Sequence, residues 1–137
     1  MQLRRNRYRA AGAVALGLAV AGAAATAEYR ADRHKLIARV EAMTGGNVAR
    51  GKLAFARYGC GGCHSASGVP QAQGKVGPPL ANVGSRGIIG GRLRNKPDNL
   101  RRWIEHPQAV SPGTAMPDLG VTPADARDIS AFLYANL

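Results

Sequence analysis

The stretch "RYGCGGCHSAS", residues 57–67, holds both cysteines of the chain, Cys60 and Cys63, with His64 directly behind the second. Three chemistries use such a run. A redox dithiol of the thioredoxin kind sits at the end of a strand in a βαβ unit. Residues 47–59 instead carry Val48, Leu53, Phe55, Ala56 and Tyr58 at helical spacing among Arg50, Lys52 and Arg57, so that scaffold is missing. Structural zinc takes four ligands, and the remaining histidines, His34 and His106, are neither paired nor close in sequence. On a helical turn, positions i, i+3 and i+4 share a face, so Cys60, Cys63 and His64 can all address one flat macrocycle. Gly61 and Gly62 put no side chain in its way. C-x-x-C-H is the attachment signal for haem c: two thioethers tether the ring and the imidazole binds its iron.

A haem would also answer a deficit in the composition. The chain has 137 residues, room for one small domain and a terminal extension. Of its seven aromatics, only Phe55, Tyr58, Trp103, Phe132 and Tyr134 lie beyond the first third, thin filling for a core. A large apolar group held covalently supplies the missing burial, and the haem-free domain is expected to fold poorly. Nineteen basic residues against eight acidic ones give a formal charge of +11. Such a charge steers association with acidic surfaces, phosphates or anionic lipid. The basic residues have no aromatics interleaved among them and form no recognisable binding module, so no nucleic-acid partner is expected.

Arg4, Arg5, Arg7 and Arg9 precede the first apolar run and no acid does, which leaves fifteen basic and eight acidic residues, +7, from Glu28 onward. The run itself, "AAGAVALGLAVAGAAATA" at residues 10–27, is uncharged; as a helix it would be ~27 Å long, just short of the ~30 Å hydrocarbon layer. Two readings fit. In one it is a cleaved export signal ending at Ala25-Thr26-Ala27, which leaves a soluble periplasmic protein. In the other it is an uncleaved anchor, its arginines held on the cytoplasmic side of a bacterial inner membrane and the rest in the periplasm. Residues 28–43, "EYRADRHKLIARVEAM", favour the anchor. Leu36, Ile37, Val40 and Met43 recur at helical spacing and no proline interrupts residues 1–43, so one helix can run on as a stalk. Gly45-Gly46 ends it and reads as a flexible joint; His34 reads as a solvated helix residue. The expected organisation is an anchor or signal over 1–27, a stalk over 28–46 and a haem domain over 47–137.

Over that last segment the sequence resembles class I monohaem cytochromes c, which implies a small all-α fold wrapped around one covalent haem, here preceded by a hydrophobic helix. "GKLAFARYGCGGCH" is similar to the family's first helix and attachment turn, with Gly51 and Phe55 where that helix meets the C-terminal one and Gly59 an extra residue before the first cysteine. "GPPL", residues 77–80, falls where the family has a proline loop, implying that the Pro78 carbonyl accepts the Nδ1 proton of His64. A ligating imidazole almost always donates its other N–H in this way. "WIEHPQAVSPGTAMPDLG" resembles the segment that brings a methionine to the iron, which makes Met116 the second axial ligand. Arg86 and Thr114 resemble contacts to the haem propionates. Trp103 is either an aromatic of the haem pocket or plain core beside Leu100 and Ile104. The last helix, residues 122–137, has Thr122 as N-cap, Pro123 at its first position and an apolar side of Ala126, Ile129, Phe132, Leu133 and Leu137. Asp125 and Asp128 read as a solvated face with Arg127.

With both axial positions filled from the protein, the implied function is not enzymatic. The resemblance implies a membrane-anchored carrier of single electrons to a terminal oxidase or another respiratory redox protein, such as a dehydrogenase. A fixed haem subunit of a larger respiratory complex is the alternative. An open iron site for peroxide or a gas follows only if Met116 is not a ligand. Between Arg86 and Arg102, six basic residues face one acid, Asp98, a net +5 that reads equally as a docking surface or a solvated loop.

Overall fold

The computed structural model describes residues 2–137, with side chains from residue 12; the cluster Arg4, Arg5, Arg7 and Arg9 lies outside those described side chains. Helix α1 spans Gln2–Thr44 without a break, as the absence of proline predicts. Its segment Gly12–Thr44 is long and apolar enough to cross a membrane, with Leu16, Leu18 and Val20 exposed. Cα packing divides the chain into two units, the first ending at Leu36 and the second covering Ile37–Leu137. Within the first, His34 is exposed and Lys35 pairs with Asp32 at 3.2 Å on the helix surface.

In the second unit, the last turns of α1 are fixed in place. Val40 is buried, and the Glu41 carboxylate accepts from Asn47 Nδ2 at 2.8 Å and from Val48 N at 2.9 Å. These bonds serve orphan donors at the start of α2, Val48–Arg57, whose N-cap Asn47 accepts from Arg50 N at 2.9 Å. Gly45 takes φ +67° and its N–H returns to the Glu41 carbonyl at 2.8 Å. Gly46 is buried, where a Cβ would strike the Arg127 carbonyl. Gly45-Gly46, expected as a flexible joint, is therefore a closed turn that only glycines can make.

Helix α2 crosses α5, Pro123–Tyr134, at Gly51, where a Cβ would overlap the Asp128 backbone carbonyl and stand 2.9 Å from Phe132 Cβ. The absent side chain lets the backbones meet, and Phe55 then packs on Phe132 with ring centroids 5.4 Å apart. Ala126, Ile129 and Leu133 complete the buried side; Leu137, assigned to it from the sequence, is 65% exposed because α5 ends at Tyr134. Burying each large apolar side chain here contributes about 1.5–3 kcal/mol. Thr122 caps α5 as expected, accepting from Asp125 N at 3.2 Å.

The two aspartates are not a solvated face. Asp128 is buried and accepts from Asn47 N at 2.7 Å and from Arg50 Nε at 2.6 Å. Asp125 accepts from the Tyr58 hydroxyl at 2.8 Å and pairs with Arg57 at 2.8 Å. Periodicity missed both because their partners come from α2, 67 to 81 residues away. Burial pushes the Asp128 carboxyl up, but the Arg50 and Asn47 hydrogen bonds outweigh it and leave it below the usual carboxylate range. Asp125 is lowered by hydrogen bonds from Tyr58 and Thr122, then by Arg57. Such groups stabilise the fold fully above the ordinary carboxylate value, about 4, and the stabilisation is lost as pH falls through the lowered native values. Replacing both by asparagine should flatten the acid limb of the stability curve below about pH 4. Parallel limbs for variant and wild type, measured by denaturant unfolding across pH, would contradict this.

The segment between the crossing helices is loop, with short 3₁₀ turns, a two-residue antiparallel hairpin of β1, Ile88–Ile89, and β2, Leu93–Arg94, then α3, Pro97–Glu105, and the single turn α4, Pro107–Val110. The chain is thus mostly helical, as expected. Leu100 and Ile104 bury the inner side of α3 against α5. Asn95 gathers the loops: it donates to the Val83 and Arg86 carbonyls at 2.7 and 2.8 Å and accepts from the Tyr134 hydroxyl at 2.6 Å. Asn136, past the end of α5, is buried and pins two more. Its side chain exchanges hydrogen bonds with the Ser67 backbone at 3.1 and 2.8 Å, and its carbonyl accepts from Asn82 N at 2.8 Å.

Candidate haem-attachment site

Helix α2 stops because Gly59 takes φ +70°, turning the chain into the 3₁₀ turn Cys60–Gly62. The extra residue before the first cysteine therefore aims the attachment turn away from the axis of α2. Cys63 N and His64 N both return to the Cys60 carbonyl, at 3.2 and 3.0 Å, which sets Cys60, Cys63 and His64 on one turn. The two cysteines form no disulfide; Cys63 is exposed and Cys60 half-buried. Of the two intervening glycines, Gly62 stands open and Gly61 lies against Ala72, so the latter serves the neighbouring loop.

His64 Nδ1 lies 2.8 Å from the Pro78 carbonyl, the contact that the proline loop leads one to expect. With a carbonyl as partner, Nδ1 must be the donor, which leaves Nε2 as the lone-pair nitrogen. Gly77 N donates to the Cys63 carbonyl at 2.8 Å, and a Cβ at Gly77 would overlap the imidazole. Leu80 N reaches Ser65 O at 2.8 Å, closing the loop around the turn. The guanidinium of Arg86 braces that loop from outside by donating to the Pro79 and Ala81 carbonyls, so its nearest partners are backbone oxygens.

Met116 is half-buried in an irregular segment, residues 111–122. Thr114 Oγ1 accepts from Met116 N at 3.4 Å, placing this threonine inside the methionine loop. Gln108, which nothing in the sequence singles out, donates to the Thr114 and Met116 carbonyls at 2.7 Å each and accepts from Gly113 N at 3.2 Å. Trp103 is half-buried and lies over Gly90, where a Cβ would stand 2.7 Å from the ring. Its indole N–H makes no hydrogen bond among the described residues. The site residues thus form two hydrogen-bonded groups on separate segments: Cys60, Cys63, His64 and Pro78 with Arg86, and Met116 and Thr114 with Gln108.

These residues fit a covalent haem. The imidazole rests against the bare backbone of Gly77, and its Nε2 is left unprotonated for a metal. Val76 beside the proline loop, Ile88 of β1 and Leu119 of the methionine segment are exposed, at 77%, 53% and 42%. Among the described residues, no group of three or more His, Cys, Asp or Glu is disposed to hold a bare metal ion.

Comparison with known proteins agrees. The family model described as cytochrome c matches residues 48–135. Cytochrome c oxidase subunit 2 of Alkalihalophilus pseudofirmus is 37% identical over 90 residues, covering 66% of this chain and 25% of that protein. The same subunit of Bacillus sp. strain PS3 is 35% identical over 71 residues, 50% of this chain and 20% of that protein. The chain thus spans a quarter or less of these relatives' lengths. No solved structure matches it. The attachment turn, the proline carbonyl on its histidine and the family match lead to one conclusion: the chain belongs to the cytochrome c family, whose haem c is attached covalently through a Cys-x-x-Cys-His motif, here Cys60, Cys63 and His64.

Proposed function

We propose that this protein is a membrane-tethered electron carrier of a respiratory chain, with His64 and Met116 as the axial ligands of its iron. The observation that carries the reading is the 2.8 Å hydrogen bond between His64 Nδ1 and Pro78 O. It holds the imidazole in the one tautomer that presents Nε2 to a metal and makes that nitrogen a better donor. Cys60 and Cys63 tether the ring, and haem c, when bound, supplies one-electron oxidation and reduction. Met116 would be the second residue to hold the iron, and its soft thioether would favour the reduced state. Trp103 offers a free indole N–H, and Arg86 and Thr114 complete the proposed propionate contacts.

Residues 1–27 serve as the anchor, 28–46 as the connection and 47–137 as the haem domain, which the N-terminal arginines leave on the periplasmic side. Arg92, Arg94, Lys96 and Arg102 are exposed and suit an acidic redox partner, with salt-sensitive encounter. A second reading has a specific observation behind it. Both relatives are oxidase subunits, so the chain can equally be a fixed subunit that feeds electrons within one complex. Purification from native membranes in mild detergent separates the two: a stoichiometric oxidase companion identifies the subunit, a free monohaem protein the carrier.

The ligation is tested on the oxidised protein. It should show the far-red thioether-to-iron charge-transfer band, and Met116→Ala should abolish it and lower the potential by a few tenths of a volt, within the ~0.8 V span that axial ligation commands. A wild type without the band would open the iron to peroxide or a gas and defeat the carrier reading.

A further inference from the structure

We infer that Gln108 is the positioning residue of the methionine ligand: its carboxamide holds the loop that presents Met116. The inference rests on Met116 as an iron ligand. No helix or strand supports residues 111–122, and within the loop the tightest backbone tie is Thr114 N to Ser111 O at 3.1 Å. A ligand on so loose a segment is poorly held unless something fixes its backbone. Gln108 does so from α4. That single turn is anchored by Pro107, fully buried, and closed by Ser111 N on Pro107 O at 2.9 Å. From this base, both amide protons of Gln108 end on backbone carbonyls, Thr114 O and Met116 O, at 2.7 Å each, and its oxygen takes the Gly113 N–H. The orientation of the amide is determined, because the reverse would set its oxygen against two carbonyls. One carboxamide therefore ties the loop on both sides of Ala115 and grips the ligand residue's own main chain.

The function of such a clamp is to keep the thioether in competition for the iron. Without it, the loop has more open states and an outside ligand takes the site more readily. The test uses the full-length ferric haem protein, titrated with imidazole while the far-red band is followed. Gln108→Leu keeps the volume and removes all three bonds; Gln108→Glu keeps the acceptor for Gly113 N but cannot donate and sets a carboxylate on two carbonyls. Imidazole should displace Met116 at about tenfold lower concentration in Gln108→Leu, and at least as readily in Gln108→Glu. Thermal unfolding is measured in parallel, and a merely structural glutamine would lower the melting temperature and leave the imidazole midpoint unchanged. That result, or unchanged midpoints in both variants, overturns the inference while Met116 ligation stands. A wild type lacking the band overturns the ligation, and this inference with it.

Discussion

Gly51→Val is expected to leave no folded haem domain. The Cβ of any residue at this position would overlap the backbone carbonyl of Asp128, an atom that no rotamer change can move, and would crowd Phe132 Cβ at 2.9 Å. Relief requires α2 and α5 to separate, which undoes the Phe55–Phe132 contact and pulls Asp128 from Asn47 N and Arg50. Overpacking usually costs about 1–3 kcal/mol; here it adds to lost burial and to unmet polar groups worth about 1–3 kcal/mol each. Against a total stability of about 5–15 kcal/mol, that sum removes most or all of the fold. Far-UV and haem-region circular dichroism during a thermal melt check this. A valine variant melting within a few degrees of wild type would refute the crossing. Gly87→Ala, outside the attachment motif, is the control, since nothing lies within 4 Å of its Cβ.

The second large effect is expected at the haem. In Gly77→Ala the new methyl group would occupy the space of the His64 imidazole, so the ring must leave the Pro78 carbonyl or the proline loop must lift. Either frees the tautomer and tilts the ligand. A displacement costing about 1–3 kcal/mol corresponds to a roughly 5- to 150-fold loss of correctly ligated protein. The ratio of haem to protein absorbance after purification measures attachment, and the ferrous spectrum measures ligation. Normal values for both would show that the imidazole does not need this bare backbone. Gly87→Ala, with open space around its Cβ, should behave as wild type.

Neither glycine's neighbour is visible in the sequence alone, and this marks what was legible. The attachment turn could be read because its chemistry is local: Cys60, Cys63 and His64 lie within five residues and define the ring face by helical geometry. The helices at 48–57 and 123–134 could be read from apolar spacing and from caps such as Thr122. Gly51 and Phe55 at the helix crossing, and the proline carbonyl near His64, came from the family resemblance, and the structure places both contacts as it implied. What failed were residues whose role is set by a distant partner. Asp125 and Asp128 look solvated until α2 supplies Tyr58, Arg57 and Arg50, and Gly45-Gly46 looks flexible until α5 closes over it. Gln108 escaped notice for another reason: one amide in a polar stretch has no pattern, and only the fold of residues 111–117 brings two carbonyls to it.

Asn136 gives the domain a timetable. It bonds Ser67, three residues beyond His64, across a sequence separation of 69. The loop after the attachment turn is tied locally through Ser65, but its Ser67 edge is fixed only when nearly seventy more residues have been made. At roughly 5–20 residues per second, synthesis leaves the two thiols and the imidazole without their C-terminal partner for on the order of ten seconds. Because the haem-free domain is expected to fold poorly, installation of the ring and the closing of this loop by Asn136 belong to one folding event.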